Sequence, residues 1–409
     1  MTDTVARLRE QAASDTDAVE PAAPARALES APDEADAVGE VLATLAEAGH
    51  DGAVAAVVDL LDHEEASVRA GAASALGRYL DAGGTAEEAT LAALAERFDD
   101  DYSVTRRYAG TAYLAVARDR PAAVGHAVDH LPGLLDPENP TVREVGADLV
   151  EAYVETDPSA DDATTLLSAV AETLGEMPDI AGGVVPDDGT GVSSGGPAHD
   201  QAEQYAGRSQ RQRNRLGMLA GDLLAARPAA AADSLGSVLA TLDTVEAGGV
   251  RAPLVEGLGR AAETDPEGVA PAIETLGRFL DDDDPAVAAR TAWTLGILAE
   301  THGPRVADDA TDHLESLEAL LSGEEFARVA SAGLLAYVCE HRPEAAEAVT
   351  GGLVDLLADD APRARAAAAH ALGYAGADNA RPALRAVADD DPDEDVRAVA
   401  AAAIERIDG

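Results

Sequence analysis

Seven prolines punctuate most of the chain. Pro121, Pro158, Pro228, Pro266, Pro304, Pro343 and Pro382 stand at intervals of 37, 70, 38, 38, 39 and 39 residues. A period of this length marks stacked supersecondary units, each too small to bury its own apolar face. The long interval is one unit with an insertion. Between Asp157 and Pro228 lie a helical segment (161–176), a Gly/Asp/Ser-rich stretch and a second helical segment (204–226).

Within a unit, each proline opens an amphipathic stretch. Pro266 is followed by Val269, Ile273, Leu276 and Leu280, spaced 4, 3 and 4. That spacing is one face of a helix, with Pro in the first turn where its missing N–H costs nothing. An acidic turn follows, Asp281 to Asp284, then a second helix with Val287, Ala292, Leu295 and Ala299 inward. The second helix recurs at Ser67-Val68-Arg69, Thr141-Val142-Arg143, Ala286-Val287 and Asp395-Val396-Arg397. These segments resemble HEAT repeats, particularly the short HEAT-like type of phycobilisome lyases, from Asp51 to the C-terminus. The expected fold is all-α, an α-solenoid of about nine helix pairs. The resemblance implies that Arg69, Arg143, Arg251 and Arg397 make Asp–Arg contacts between adjacent repeats, and that the second helices line a concave, protein-binding face.

Repetition is needed to explain the composition. Alanine supplies 93 residues, while Leu, Val, Ile and Phe together supply 84. A chain with so little bulky apolar surface and so much charge sits at the edge of the disordered class. Ala has the highest helix propensity and lets helices approach closely, so stacking makes one continuous core from units that could not fold alone. Gly77, Gly296 and Gly373 in second helices are expected to serve the same close packing.

Charge narrows the partners. All 29 basic side chains are Arg, 77 residues are Asp or Glu, and the formal charge is −48. Such a field repels phosphate backbones and anionic lipid, which argues against nucleic-acid and membrane partners. An acidic, Lys-free, Ala-rich chain resembles haloarchaeal proteins, and in molar salt the Debye length is only ~3 Å. No apolar run is long enough to span a membrane and Met1 to Glu10 lacks a signal-peptide core, so a cytoplasmic location is expected.

The expected organisation is a flexible acidic tail (1–33) with a short helical possibility from Thr4 to Ala13, an N-terminal capping helix (34–50), repeats over 51–176, a disordered Gly/Asp/Ser-rich insertion (177–207), and further repeats over 208–409. No catalytic residue, metal or cofactor is expected. Without Lys there is no Walker A lysine or Schiff base, and no GxSxG occurs. Cys339, the one cysteine, reads as a buried helix residue. His126 and His130 share one helix at i, i+4 but lie opposite its apolar face, as a solvated pair would. HEAT-like metal hydroxylases carry several His-Glu pairs, and only His63-Glu64 matches. HEAT-like DNA glycosylases need a basic concave face. The acidic runs at Asp281 to Asp284 and Asp389 to Asp395 fit helix caps better than a calcium loop.

Two features suit a protein partner. Arg208, Arg211, Arg213 and Arg215 form the one basic cluster, either pairing with carboxylates of a neighbouring repeat or presenting a patch to an acidic partner. Trp293, the sole tryptophan, falls either in an inter-repeat seam or in the groove, where it would anchor a partner. The expected function is a non-catalytic scaffold or adaptor. Its likeness to haloarchaeal HEAT-like adaptors makes taxis signalling to the archaellum one client pathway. Alternatives are a lyase-type enzyme or subunit, which attaches a chromophore or cofactor, and an assembly factor or chaperone.

Overall fold

The computed structural model describes residues 2–177 and 197–409, with side chains for 4–177 and 207–409. Helices and turns account for all regular structure there, and no strand occurs among the described residues. Two compact units form, Met1–Leu219 and Ala220–Gly409.

The first unit begins with α1 (Thr2–Ser14). Pairs follow: α2 (Ala23–Ser30) with α3 (Ala35–Glu47), α4 (Gly52–Val58) with α5 (Ala66–Asp81), and α6 (Glu88–Glu96) with α7 (Ser103–Ala117). In the fourth pair a 3₁₀ helix, Pro121–Leu134, precedes α8 (Pro140–Val154); in the fifth, α9 (Ala160–Glu176) is followed by α10 (Pro197–Ala226). The second unit holds α11 (Pro228–Thr244) with α12 (Gly248–Ala262), and the broken first helix α13 (Pro266–Val269) and α14 (Ile273–Arg278) with α15 (Pro285–Ala310). The run of α15 is kinked at His302, so its last part, with Pro304, leads into α16 (Leu314–Leu320), which pairs with α17 (Glu325–His341); α18 (Ala346–Leu356) with α19 (Pro362–Tyr374) and α20 (Arg381–Asp390) with α21 (Glu394–Asp408) follow. Each unit is thus an α-solenoid. Second helices stack in series, α3 on α5 on α7 in the first, and α12 on α15, α17, α19 and α21 in the second. Ala at the contact positions permits this: Ala72, Ala112, Ala292, Ala332 and Ala368 are wholly buried.

Three expectations are corrected. Residues 1–33 are no tail: Val5, Leu8 and Ala12 are buried on the face of α1 that packs on α3, and Leu28 of α2 has no exposure. Consequently α3 is the second helix of a pair and not a cap, and the described residues hold ten pairs where about nine were expected. The insertion, expected over 177–207, lies outside the described residues between 178 and 196, but 197–207 belong to α10. Among the described residues, no helix is long and apolar enough to cross a membrane.

Candidate protein-interaction surface

The acidic turns organise each pair. In the turn before α15 two acids work together: the first Asp of the two, Asp282, accepts from the backbone two residues on at Asp284 N (2.9 Å), while Asp284 caps the helix through Ala286 N (2.9 Å). Asp391 and Asp393 divide the same two tasks before α21. The first Asp also receives an arginine from the preceding pair. Arg69 donates from Nε and Nη2 to Asp100 at 2.6 and 2.9 Å, and from Nη1 to the carbonyls of His63 and Glu64 in its own turn. Arg106 reaches Asp136, Arg328 reaches Asp359 and Arg365 reaches Asp391 in the same manner, while Arg251 reaches Asp282 through Nη1 and bonds the Leu242 carbonyl in the last turn of α11 through Nε. These contacts form a ladder in which each arginine ties its own turn to the next.

Burial raises the stakes of each rung. The Asp100 side chain is 2% exposed, and burial alone would push its carboxyl up. Hydrogen bonds from Arg69 and the Tyr102 N–H outweigh that and hold it below the ordinary value. Of the four arginines expected in this role, Arg69 and Arg251 pair with Asp. Arg143 bonds the carbonyls of Asp136 and Pro137 in its own turn and donates to Gln212 (2.7 Å), and Arg397 of the last pair bonds the Asp391 carbonyl (2.7 Å). Arg106, Arg328 and Arg365 escaped the Val-Arg pattern because Thr105, Ala327 and Ala364 precede them.

The basic cluster divides. Arg213 is buried and donates to the Met177 carbonyl (2.6 Å) just after α9, which removes it from the surface. Arg208 pairs with Glu144, and Arg215 with Asp148 (2.7 Å) and Glu151, all on α8. Arg211 is exposed, and no ion pair engages it among the described residues. His130 does not stand free either, since its Nδ1 lies 2.6 Å from Asp99 of the preceding pair. Cys339 is wholly buried in α17, and burial pushes its thiol up to about 11, so it is a poor nucleophile.

Trp293 occupies both positions considered for it. One edge of the ring fills the seam against Gly259, where a Cβ would stand 2.3 Å from it. The rest lines a hollow of about 310 Å³ with Glu256, Arg260, Arg290 and Phe326. Glu256 receives Arg260 and Arg290, each at 2.9 Å; against the upward push of burial, these bonds hold its carboxyl below the ordinary range. Arg290 also stands 5.9 Å from the centre of the Phe326 ring. Phe326 itself is 46% exposed. Sequence reasoning missed it because it lies at the first turn of α17, outside the apolar stripe. On α19, His370 meets Tyr374 edge-on at 4.9 Å, and Arg406 of α21 lies 4.0 Å over Tyr374. The second helices of this unit therefore present aromatic rings and guanidinium groups together, the side chains that dominate protein interfaces.

The family description for HEAT repeats matches residues 25–115 and 314–405. Among curated proteins, none matches the sequence. An engineered protein of known crystal structure is similar over 99% of both chains, at 17% identity and a TM-score of 0.58. A chain from a structure of the interaction between cadherin and beta-catenin is similar over 91% of this chain and 78% of that one, at 13% identity and a TM-score of 0.53. A third, the karyopherin Kap121p bound to the extreme C-terminus of the phosphatase Cdc14p, shares 13% identity and a TM-score of 0.39; this chain spans 50% of it. The first two speak to the fold and to nothing finer.

Proposed function

We propose, from the premise that both units carry HEAT repeats, that this protein is a non-catalytic scaffold or adaptor that binds other proteins along its second helices. The observation that carries the reading is Phe326. A ring left 46% exposed and grouped with Trp293, Arg260 and Arg290 brings together the side-chain types that carry most interface energy, in a chain with only three Phe and one Trp. Arg211 is the member of the basic cluster that remains as a contact in the first unit.

The test is affinity purification from a high-salt lysate with the wild-type chain and the double variant Trp293→Ala, Phe326→Ala. Loss of specific captured proteins with the variant supports the reading, and identical capture by both counts against it. The finer assignment, an adaptor of a haloarchaeal cell linking taxis signalling to the archaellum, rests on resemblance. It expects response-regulator or archaellum accessory proteins among those captured. A deletion strain with normal phototaxis and swimming reversals removes it.

A further inference from the structure

The ladder of the second unit is broken at one junction. Aligning the second helices by their leading turns sets Pro285-Ala286-Val287-Ala288 against Pro362-Arg363-Ala364-Arg365. Arg251, Arg328, Arg365 and Arg397 hold the ladder position in pairs six, eight, nine and ten, whereas pair seven has Ala288. The receiving position is changed as well. Where Asp282, Asp359 and Asp391 accept a rung, the turn of pair eight has Ser322. Donor and acceptor are missing together, so neither is left buried and unpaired.

A hollow of about 760 Å³ opens at that junction, lined by Leu280, Ala288, Leu320, Ser322, Gly323 and Phe326 among others. The carbonyls of Asp282 and Asp283 correspond to those of Asp359 and Asp360, which accept from Arg365 at 2.9 and 3.1 Å. No hydrogen bond reaches Asp282 O or Asp283 O among the described residues. Arg290, the closest arginine in sequence, does not fill the gap, because its Nε is turned to Glu256 and its Nη1 to the Ala286 carbonyl.

We propose that this vacant rung receives an arginine side chain from a protein partner, one presented on an extended segment with an apolar neighbour that packs on Phe326. The inference rests on the scaffold reading and names the partner's chemistry. Two free carbonyls at ladder spacing suit the planar, multi-donor fork of a guanidinium better than the point charge of an ammonium. Asp281, Asp284 and Glu324 line the same hollow, and the −48 formal charge favours a basic segment over an acidic one. Elsewhere in the array Arg69, Arg143 and Arg365 each place Nη1 on two such turn carbonyls.

The probe is a capped pentapeptide, Gly-Leu-Arg-Leu-Gly, and its analogue with citrulline, the neutral isostere, in place of arginine. Trp293 shares Arg290 and Phe326 with the hollow and is the sole tryptophan, so its emission reports occupancy. The arginine peptide is expected to shift that emission saturably, and the citrulline peptide to bind at least about tenfold more weakly. Ala288→Arg with Ser322→Asp supplies the rung from within and is expected to raise the melting temperature and abolish the response. Phe326→Ala, an exposed change that leaves the rung site intact, is expected to weaken binding and covers the case in which the double variant does not fold. Equal binding of the two peptides, no response to either, or undiminished binding by a folded rung-restored chain would each overturn the proposal. If the rung-restored chain still captures every protein that the wild type captures, this inference fails while the scaffold reading stands. If the wild type captures none, the scaffold reading fails, and the peptide pair still decides whether the rung binds arginine.

Discussion

Asp391 and Arg365 show what a single residue pair does in this array. Their side chains are 4% and 10% exposed and share two hydrogen bonds of 2.7 and 2.8 Å. Replacing Arg365 by Met leaves a buried carboxylate without its partner, which costs about 3 kcal/mol. A corresponding fall in stability is expected in urea titrations, with far less change for the exposed pair of Arg118 and Asp81. The Arg365 hydrogen bond, with burial opposing it, holds Asp391 below the usual carboxylate value. Its contribution is therefore complete above the unfolded value of about 3.9 and lost as pH falls through the depressed folded value. Thermal melts between pH 7 and pH 3 should show the wild type losing stability at the acid end, and Asp391→Asn, already weakened at neutral pH, losing less there. At this scale the sequence was partly legible. Val68-Arg69 and its equivalents pointed to the ladder. That Asp282 receives Arg251 while Asp284 caps α15 was not readable, because both are members of one acidic run and only the turn's geometry separates them.

Among helices, glycine separates seam from surface. A Cβ at Gly373 would lie 2.9 Å from the Ala403 Cα, which accords with the close packing expected there, but one at Gly296 would meet nothing within 4 Å. Gly296 is thus half-buried helix backbone with open space where a Cβ would stand, and Gly296→Ala is expected to stabilise by roughly 0.5–1 kcal/mol. Gly259→Ala is expected to do the opposite by about 1–3 kcal/mol, since its Cβ would displace the Trp293 ring, with a shift in tryptophan emission that Gly296→Ala does not give. Melting curves and emission spectra of the two variants check both statements. The helices themselves were legible where prolines and acidic turns bound them. The first two were not legible as packed elements, although a short helix was readable from Thr4 to Ala13, because the Ala, Pro, Asp and Glu around Val5, Leu8 and Ala12 give the segment the composition of a tail. Their burial comes from α3, a contact that no local pattern records.

Across the whole molecule, −48 charges are tolerated because the arginines are spent on pairing one repeat with the next. Arg69–Asp100, Arg278–Asp243, Arg290–Glu256 and Arg328–Asp359 all join residues 31 to 35 apart. The 48 uncompensated acids still repel one another, and the Debye length grows from ~3 Å in molar salt to ~30 Å at 0.01 M. Helicity followed by circular dichroism is expected to fall on dialysis into dilute buffer; full helicity there would mean that the inter-repeat pairs suffice. The central claim is that partners bind across the second helices around the broken rung. Lysine-directed cross-linking cannot test it in a chain without Lys, whereas hydrogen exchange can. With a protein captured by the wild-type chain added back, new protection should concentrate in α15, α17 and the turn from Leu321 to Glu324. Protection confined to the first helices, or spread evenly over both units, would contradict the account.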